Sequence, residues 1–393
     1  MTTAEVPTQR QDEPVDALGW LRRALWSPDA DVELVPVDGR DPRATWLARP
    51  AAGSPELLVP LGSARAAAAV SRRFWDGMAA GRRARQWAGE ASLRTGAAQR
   101  LWPGRVALLG SPVDLSDPDR SLLARLAAVL GQPEVLAAIT ARPTHYNGKP
   151  VLQLFDRDGR ALAFAKVAVD EVSEGYVRTE VEWLARAAAA RPPLRAPGLL
   201  ATPDWRGRPV AVLEPMDLPR LPRRMAGWAR REVADAVVAL GSVESALVVQ
   251  RGPAVRARED ALLGGDAELG DLVDLVVDRH GEASVELGVW HGDLSPWNTA
   301  SRRHEVLVWD WELAGKDMPV GSDLCHETVM VATHLLGHPA RVALAPLDPR
   351  DPATALYLLE LVRRDRQAQR SGRQDGQHFL GDAAADRLRR GLT

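Results

Sequence analysis

HGDLSPWN at residues 291–298, followed by VWDWE at residues 308–312, indicates more about this chain than any other part of its sequence. The two segments place Asp293, Asn298 and Asp310 at the spacing of a phosphoryl-transfer site. In such a site the first aspartate takes a proton from a hydroxyl group, and the asparagine and the second aspartate hold magnesium. Magnesium prefers oxygen ligands, so a carboxylate and an amide beside phosphate oxygens suit it. Either segment alone is typical of an ordinary turn or strand end, but together they favour the catalytic interpretation.

Two other residues in these segments have competing interpretations. His291 is expected to brace the loop through hydrogen bonds rather than to take part in the chemistry. Glu312 could assist the metal or cap the turn that follows it, and capping is the slightly favoured interpretation.

A phosphoryl-transfer site also needs a cation, and the candidate is Lys166. The chain has 50 basic residues, but its only lysines are Lys149, Lys166 and Lys316. A lone lysine on a strand is usually solvated, yet this scarcity and the helix that follows favour a phosphate-binding role. On that helix Glu180 shares a face with a leucine four residues later, so it is predicted to pair with Lys166. Glu182 lies about 160° away around the helix and is predicted to be solvated.

Two upstream segments are candidates for contact with a nucleotide. After a predicted strand at residues 209–213, the run Glu214-Pro215-Met216 could bind an adenine. Because Pro215 has no N–H group, recognition would use the Glu214 carbonyl and the Met216 amide; a plain interlobe linker is an equally good interpretation. Residues 144–149 could cover the phosphates or form an ordinary hairpin turn, so Lys149 could contact phosphate or only solvent.

Composition limits the broad class of the protein. At 393 residues the chain can form two or three lobes, and its net charge of -2 gives no nucleic-acid or membrane footprint. One cysteine, Cys325, cannot form an internal disulfide, which favours a reducing, cytoplasmic compartment. No apolar run is long enough to span a membrane. The polar residues 1–16 are predicted to be a disordered tail.

Hydrophobic patterning predicts the order of the remaining elements. Residues 17–132 alternate short strands with helices and are predicted to be an accessory region, with one helix from Ser63 to about Phe74 and another from Asp117 to Leu130. The region 133–216 is predicted to be an antiparallel sheet lobe, with strands at 151–155 and 161–169 and a helix over 175–190. Residues 217–393 are predicted to be mostly helical around two short strands, 286–290 and 305–309.

These residues together resemble the aminoglycoside phosphotransferase and choline kinase-like branch of the protein-kinase-like superfamily. The match rests on residues 291–298 and 310–312, with Lys166 and Glu180 upstream. It covers residues 140–335 well, fits the helical tail loosely and does not reach the first 130 residues. In the run PVGSDL, Asp323 would brace the catalytic loop, as the resemblance implies.

What the resemblance implies is a bilobal protein-kinase-like fold of the α+β class, to which this chain adds an N-terminal α/β accessory region. It also implies ATP or GTP as the donor, Mg²⁺ as the metal and a small-molecule hydroxyl group as the acceptor. Asp293 would be the base, Asn298 and Asp310 would bind the metal, and Lys166, oriented by Glu180, would hold the phosphates.

The acceptor is the least determined part. A segment expected to line its pocket contains five arginines: Arg363, Arg364, Arg366, Arg370 and Arg373. Polycationic aminoglycosides prefer acidic pockets, so such acceptors are disfavoured, although a charge run is usually a solvated helix face. Two alternatives remain open at this point. The arginines and the accessory region could dock a peptide or protein whose Ser/Thr hydroxyl is phosphorylated, or the chain could be a nucleotide-binding pseudokinase scaffold.

Overall fold

The computed structural model of the chain describes residues 16–38, 41–50, 55–73, 88–98, 102–143, 148–216, 227–302, 304–370 and 378–393. Within these residues, the N-terminal half is built on one antiparallel sheet of ten strands. The C-terminal half is mostly helical and contains two three-stranded sheets. The predicted α+β class, with an antiparallel sheet followed by a mostly helical region, is therefore confirmed.

The large sheet runs in the order β1-β4-β2-β3-β5-β6-β7-β11-β10, with β9 beside β11. Its strands are β1 Val32–Val37, β2 Ala44–Arg49, β3 Leu57–Pro60, β4 Arg105–Gly110, β5 Leu136–Thr140, β6 Val151–Phe155, β7 Ala161–Val167, β9 Leu199–Ala201, β10 Asp204–Trp205 and β11 Arg208–Leu213. The small sheets combine β12 Glu244–Leu247, β13 Ser284–Trp290 and β16 Gly315–Pro319, and β14 Thr299–Arg302, β15 Glu305–Val308 and β8 Leu194–Arg195.

The helices alternate with these strands along the chain. They are α1 Ala17–Leu25, α2 Ala64–Arg73, α3 Pro112–Ser116, α4 Leu122–Val129, α5 Glu171–Ala187, α6 Gly227–Val238, α7 Pro253–Gly264, α8 Ala267–His280, α9 Ser322–Met330, α10 Ala340–Ala343, α11 Pro352–Arg370 and α12 His378–Leu392. No helix within the described residues is long and apolar enough to cross a membrane.

The sheet is continuous across residue 132, where the accessory region was predicted to end. Strand β5 pairs with β3 on one side and with β6 on the other. Beneath the sheet, one apolar cluster joins Leu25 and Leu126 of the first region to Val167 and Val210 of the second. The burial of such large aliphatic side chains stabilises a fold by about 1.5–3 kcal/mol each. The two regions thus share a sheet and a core, and the division of the chain into domains stays a prediction.

Local hydrogen bonds explain where the helix boundaries differ from the predicted ones. The helix predicted from Asp117 begins later, at Leu122, because the Ser121 hydroxyl accepts from the amide of the third helical residue. Helix α5 begins at Glu171, four residues before the predicted start. There the Asp170 side chain accepts from the Ser173 amide at 2.8 Å, and the Ser173 hydroxyl accepts from the Asp170 amide at 3.0 Å. This reciprocal pair fixes the first turn.

The C-terminal core is organised around α11. Its buried residues include Leu356, Tyr357 and Leu359, which join an apolar cluster with residues of α7, α8 and α12. The same cluster contains Trp290 at the end of β13. Helix α11 is therefore packed against the strand from which the HGDLSPWN loop departs.

Candidate active site

Two short strands deliver the two predicted catalytic segments to the same place. The loop of residues 291–298 connects β13 to β14, and residue 310 directly follows β15. The Trp309 amide donates to the Asn298 carbonyl at 3.1 Å, so the end of the loop and the approach to Asp310 are joined through the backbone. Asp310 itself has a φ of 70°, in the left-handed region, at the start of a short 3₁₀ turn over Trp311–Leu313.

The loop is held from two sides by buried groups. Asp323, at the start of α9, accepts from the His291 amide at 2.8 Å and from the Gly292 amide at 3.1 Å. This is the bracing contact that the family resemblance implies. The His291 ring lies 3.2 Å from the Trp309 carbonyl and edge-on to Trp311. The predicted bracing role of His291 is therefore confirmed, and burial lowers the pKa of its ring, which favours the neutral form.

Gly292 has a backbone that few other residues would tolerate, which gives a stability prediction. Its φ is 84°, and an added Cβ would overlap the backbone carbonyl of Leu313. We expect Gly292→Ala to lower the free energy of unfolding by about 2–5 kcal/mol, from left-handed strain plus overpacking. Gly131→Ala is the matched control, because Gly131 has a φ of 63° but open space around its Cβ position.

Gly131→Ala should lower the free energy of unfolding by only about 1–2 kcal/mol, the contribution of left-handed strain alone. Urea denaturation of both variants would measure the difference. Equal losses would show that the loop can move away from the carbonyl at little cost.

The Asp293 carboxylate lies among donors. Its Oδ2 accepts from Asn298 Nδ2 at 2.8 Å, and its Oδ1 accepts from the Ser295 hydroxyl and lies 3.2 Å from His326 Nε2. Burial alone would raise the pKa of the Asp293 carboxyl, but the contacts with His326 and Ser295 hold it below its ordinary value. The group is thus kept ionised. Because Asn298 uses its Nδ2 to hold Asp293, its amide oxygen is the atom left for a metal.

A second cluster combines lysines and carboxylates. Lys166 Nζ lies 2.7 Å from Glu180 and 3.4 Å from Glu312, and it also contacts Asp310. Lys149 Nζ lies 2.6 Å from Glu312. Burial alone would lower the pKa of Lys166, but Asp310, Glu180 and Glu312 raise it well above its ordinary value. Both lysines are nearly inaccessible, so this arrangement is an interior one.

Two interpretations from the sequence change here, and one pairing is found. The predicted pair of Lys166 and Glu180 is present, and Glu182 is solvated, as expected. The Glu312 carboxylate is buried and binds both lysines, contacts that neither the capping nor the metal interpretation included. Lys149 does not project into solvent but is buried beside Glu312 and near the Tyr176 ring.

The donor atoms suit a hard divalent cation. Glu180, Asp310 and Glu312 can each offer one oxygen, and these oxygens lie within 4.8 Å of one another. Carboxylate oxygens are the kind of ligand that magnesium prefers. When all three carboxylates are ionised, they outnumber the two lysines that they face, which also favours a cation.

Crowding of these acids predicts a pH dependence of stability. Burial, with contributions from Asp310 and Glu312, raises the pKa of Glu180 to about 7, against 4.5 ordinarily. Between those values the folded chain retains a proton that the unfolded chain has released, so Glu180 reduces stability as pH rises from about 4.5 to 7. We expect Glu180→Gln to flatten that part of the melting-temperature profile, measured with a chelator present.

Glu182→Gln is the matched control, since it changes an exposed glutamate on the same helix. Its profile should run parallel to that of the unmodified protein. If Glu180→Gln also ran parallel, Glu180 would have an ordinary pKa and the crowding argument would fail.

The segment predicted to contact adenine continues from β11. The Glu214 amide donates to the Gly198 carbonyl at 2.7 Å, and the Glu214 carboxylate accepts from the Gly198 amide at 3.2 Å. These bonds anchor Glu214 to the chain before β9. No backbone hydrogen bond joins the Glu214 carbonyl or the Met216 amide to another described residue. Both groups named by the sequence argument are thus available at the end of the large sheet.

Other predicted features lie outside the described residues. They are the N-terminal tail up to residue 15, most of the phosphate-covering loop (144–147), and Arg373.

The arginines expected either to line the acceptor pocket or to be solvated are instead held in ion pairs, where the structure describes them. Their partners are Glu360 for Arg363 and Arg364, Glu268 for Arg366, and Asp266 for Arg370. Burial alone would raise the pKa of Glu360, but the adjacent Arg363 and Arg364 hold it well below its ordinary value. Arg370 is exposed at the end of α11, as a solvated face predicts, whereas Arg363 and Arg364 are partly buried. The acceptor-pocket role of this segment stays a prediction.

The sequence argument missed His326 and the contact of Arg364 with the catalytic loop. Arg364 donates to the Gly292 carbonyl at 2.8 Å and stacks over the Trp290 ring at 4.2 Å, so α11 directly supports the loop. His326 was signalled weakly by its position three residues after Asp323, which puts both side chains on one face of α9. The Arg364 contact spans 72 residues, and nothing in the local sequence indicates it.

Comparison with known proteins gives structural similarity without sequence similarity. No family model matches the chain, and no curated protein matches its sequence. Among solved structures, the apo form of a thermostable mutant of aminoglycoside phosphotransferase APH(4)-Ia is similar with a TM-score of 0.47 and 13% identity, over 68% of this chain and 97% of that one.

Two further solved structures are similar at the same low level. A putative fructosamine-3-kinase from Haemophilus somnus 129PT has a TM-score of 0.41 and 11% identity, over 68% of this chain and 96% of that one. Plasmodium vivax ethanolamine kinase has a TM-score of 0.38 and 10% identity, over 65% of this chain and 82% of that one. At such identities the similarity concerns the fold alone, so the chemistry must be inferred from the side chains of this chain.

Proposed function

We propose that the protein is an ATP- and Mg²⁺-dependent O-phosphotransferase that acts on a hydroxyl group of a small molecule, such as a sugar, an antibiotic or another natural product. The observation that supports this most is that the candidate base and the cluster of lysines and carboxylates lie close together. The ionised Asp293, held by Asn298, lies beside the cluster in which Lys166 contacts Glu180 and Asp310. Phosphoryl transfer needs positioning and charge stabilisation, and these residues offer both.

Each residue has a defined part in the proposed reaction. Asp293 orients the acceptor hydroxyl and receives its proton as the oxygen bonds to the γ-phosphorus and the bond to the leaving nucleoside diphosphate breaks. Lys166 binds phosphate oxygens, and Glu180 fixes its direction. Asp310 and the Asn298 amide oxygen would hold magnesium, which neutralises charge on the phosphates when bound.

The charge of the second cluster supports nucleotide binding with metal. Lys166 contacts the Asp310 carboxylate, which is the proposed metal ligand. Phosphate oxygens offer Lys166 an alternative anion, and this frees Asp310 for the cation. Lys149 and Glu312 form a buried ion pair next to Lys166, so a second lysine would be close to the phosphates. Nucleotide and metal should therefore bind cooperatively.

The adenine ring is placed at the end of β11. The Glu214 carbonyl and the Met216 amide would accept from and donate to its edge, with Pro215 between them contributing no donor. GTP as an alternative donor would present a different pattern to the same two groups. Competition between ATP and GTP in the same assay would distinguish the two nucleotides.

The test is release of ADP across a panel of hydroxylated small molecules, with magnesium varied and a peptide library included. Turnover of one small-molecule class, dependent on magnesium and absent from peptides, is the expected result. Phosphorylation of peptides alone would contradict the proposal. The described arginines that could dock a peptide are engaged in ion pairs with acidic residues of this chain, so they do not favour a peptide acceptor. Magnesium-dependent ATP binding without turnover of any acceptor would favour a pseudokinase.

A further inference from the structure

We propose that His326 is a positioning residue that acts through Asp293: its Nε2–H group holds Asp293 Oδ1 and leaves Oδ2 to face the acceptor hydroxyl. The inference rests on the proposed phosphotransfer and adds a residue that neither the motif nor its spacing includes.

His326 lies between the loop and α11. Its Nε2 is 3.2 Å from Asp293 Oδ1, and its Nδ1 is 3.2 Å from the Tyr357 hydroxyl. Both side chains are almost inaccessible, with 2% exposure for His326 and none for Tyr357. The two rings meet edge to face, with centroids 6.4 Å apart. The imidazole is thus confined at both nitrogens and has one orientation available.

The partners determine where the proton of the ring lies. An ionised carboxylate only accepts hydrogen bonds, so Nε2 must carry a hydrogen where it meets Asp293. Burial raises the pKa of the Tyr357 hydroxyl well above its ordinary value, so that group stays protonated and can donate to Nδ1. Tyr357 therefore stabilises the Nε2–H tautomer, the form of the neutral ring that holds Asp293. A second group commonly fixes a histidine tautomer in this way.

The distribution of donors shows which oxygen faces the substrate. Among the described residues, Oδ1 of Asp293 accepts from two side chains, His326 and Ser295, whereas Oδ2 accepts from one, the Asn298 amide. Each carboxylate oxygen has about two acceptor positions. Oδ1 is therefore filled, and the free position on Oδ2 is the one that can take the acceptor proton. Without His326, the carboxylate could rotate and share this position between its two oxygens.

His326→Leu and His326→Gln test the role. Leucine removes the donor, while the glutamine amide can present an N–H group close to the Nε2 position. We expect kcat to fall about 10- to 100-fold with leucine, as for other residues that orient a reacting group. The KM for ATP should hardly change, and glutamine should restore most of the rate. His280→Leu is the matched control, since His280 is buried but bonds a carbonyl on another face.

A double-mutant cycle with Asp293→Asn separates positioning from general damage. If His326 acts only through Asp293, His326→Leu should cause no further loss in the Asp293→Asn background. An equal loss in both backgrounds, or the same loss with glutamine as with leucine, would overturn the proposal.

A further measurement reads the ring directly in the unmodified protein. Nitrogen-15 NMR of the intact protein, with the ring assigned through His326→Gln, should show the Nε2 site protonated. An unprotonated Nε2 at neutral pH would contradict the assignment. If no acceptor is turned over, the proposed function fails. If turnover is present and His326→Leu leaves it unchanged, only the present inference fails.

Discussion

Asp293→Asn should reduce kcat by about 100- to 10,000-fold, because general-base assistance to the attacking hydroxyl is of that size. Asparagine has almost the same shape, and its side-chain oxygen can still accept from His326 or Asn298. It cannot hold the transferred proton. The phosphate-binding contacts of Lys166 are unchanged, so ATP affinity should stay within a few-fold of its original value. Steady-state kinetics with the preferred acceptor and a separate nucleotide-binding titration would measure both quantities.

A matched control is available on the sheet lobe. Asp158 is an exposed aspartate in the turn between β6 and β7, and Asp158→Asn makes the same chemical change without touching the proposed site. It should leave kcat as it was. An Asp293→Asn enzyme that turned over as fast as the original would remove Asp293 from the reaction and, with it, the main support for a kinase-type site.

Local spacing could predict the parts of the site that lie within a few residues of one another. Asp293 and Asn298 are in contact because a loop of that length folds back on itself. Glu180 meets Lys166 because a strand followed by a helix returns the chain to the same sheet. In both cases the pattern carries the geometry, since the strand and helix periods determine which side chains share a face.

What could not be predicted depends on how distant elements pack. His326 reaches Asp293 only because α9 begins at the loop amides, and Arg364 reaches the loop because α11 crosses behind β13. The continuity of the large sheet across residue 132 is of the same kind. Strand β5 was not predicted, and its run of apolar residues does not identify its neighbours, which are β3 and β6. Strand partners are a property of topology, which single-sequence patterns do not contain.

The change in the interpretation of Glu312 shows why burial matters for chemistry. In the sequence, an acidic residue two positions after Asp310 is typical of a turn cap. In the structure its carboxylate is between two buried lysines, where a lone charge would be unstable. Lys149 therefore offsets the negative charge of Glu312, which would otherwise repel Glu180 and Asp310 in the same cluster.

Asp310→Asn should reduce kcat by about 100- to 1,000-fold, the usual cost of removing one group that stabilises developing charge, and should raise the magnesium concentration needed for turnover. Asparagine is the informative replacement because Asp310 has a φ of 70°. Asparagine tolerates the left-handed region, whereas alanine would add strain. Any loss then reports the missing charge at the metal.

Glu312→Gln provides the comparison for Asp310→Asn. It also removes one negative charge, two residues further along the chain, from the carboxylate that binds both lysines. We expect it to lower stability more than Asp310→Asn does, because it leaves two buried lysines with one fewer partner. Its effect on the magnesium dependence should be the smaller of the two. Rates measured over a range of magnesium concentrations, with melting temperatures recorded in parallel, would separate these effects. If Glu312→Gln shifted the magnesium dependence more than Asp310→Asn, the metal would be held chiefly by Glu312, and the assignment of Asp310 as its main ligand would be wrong.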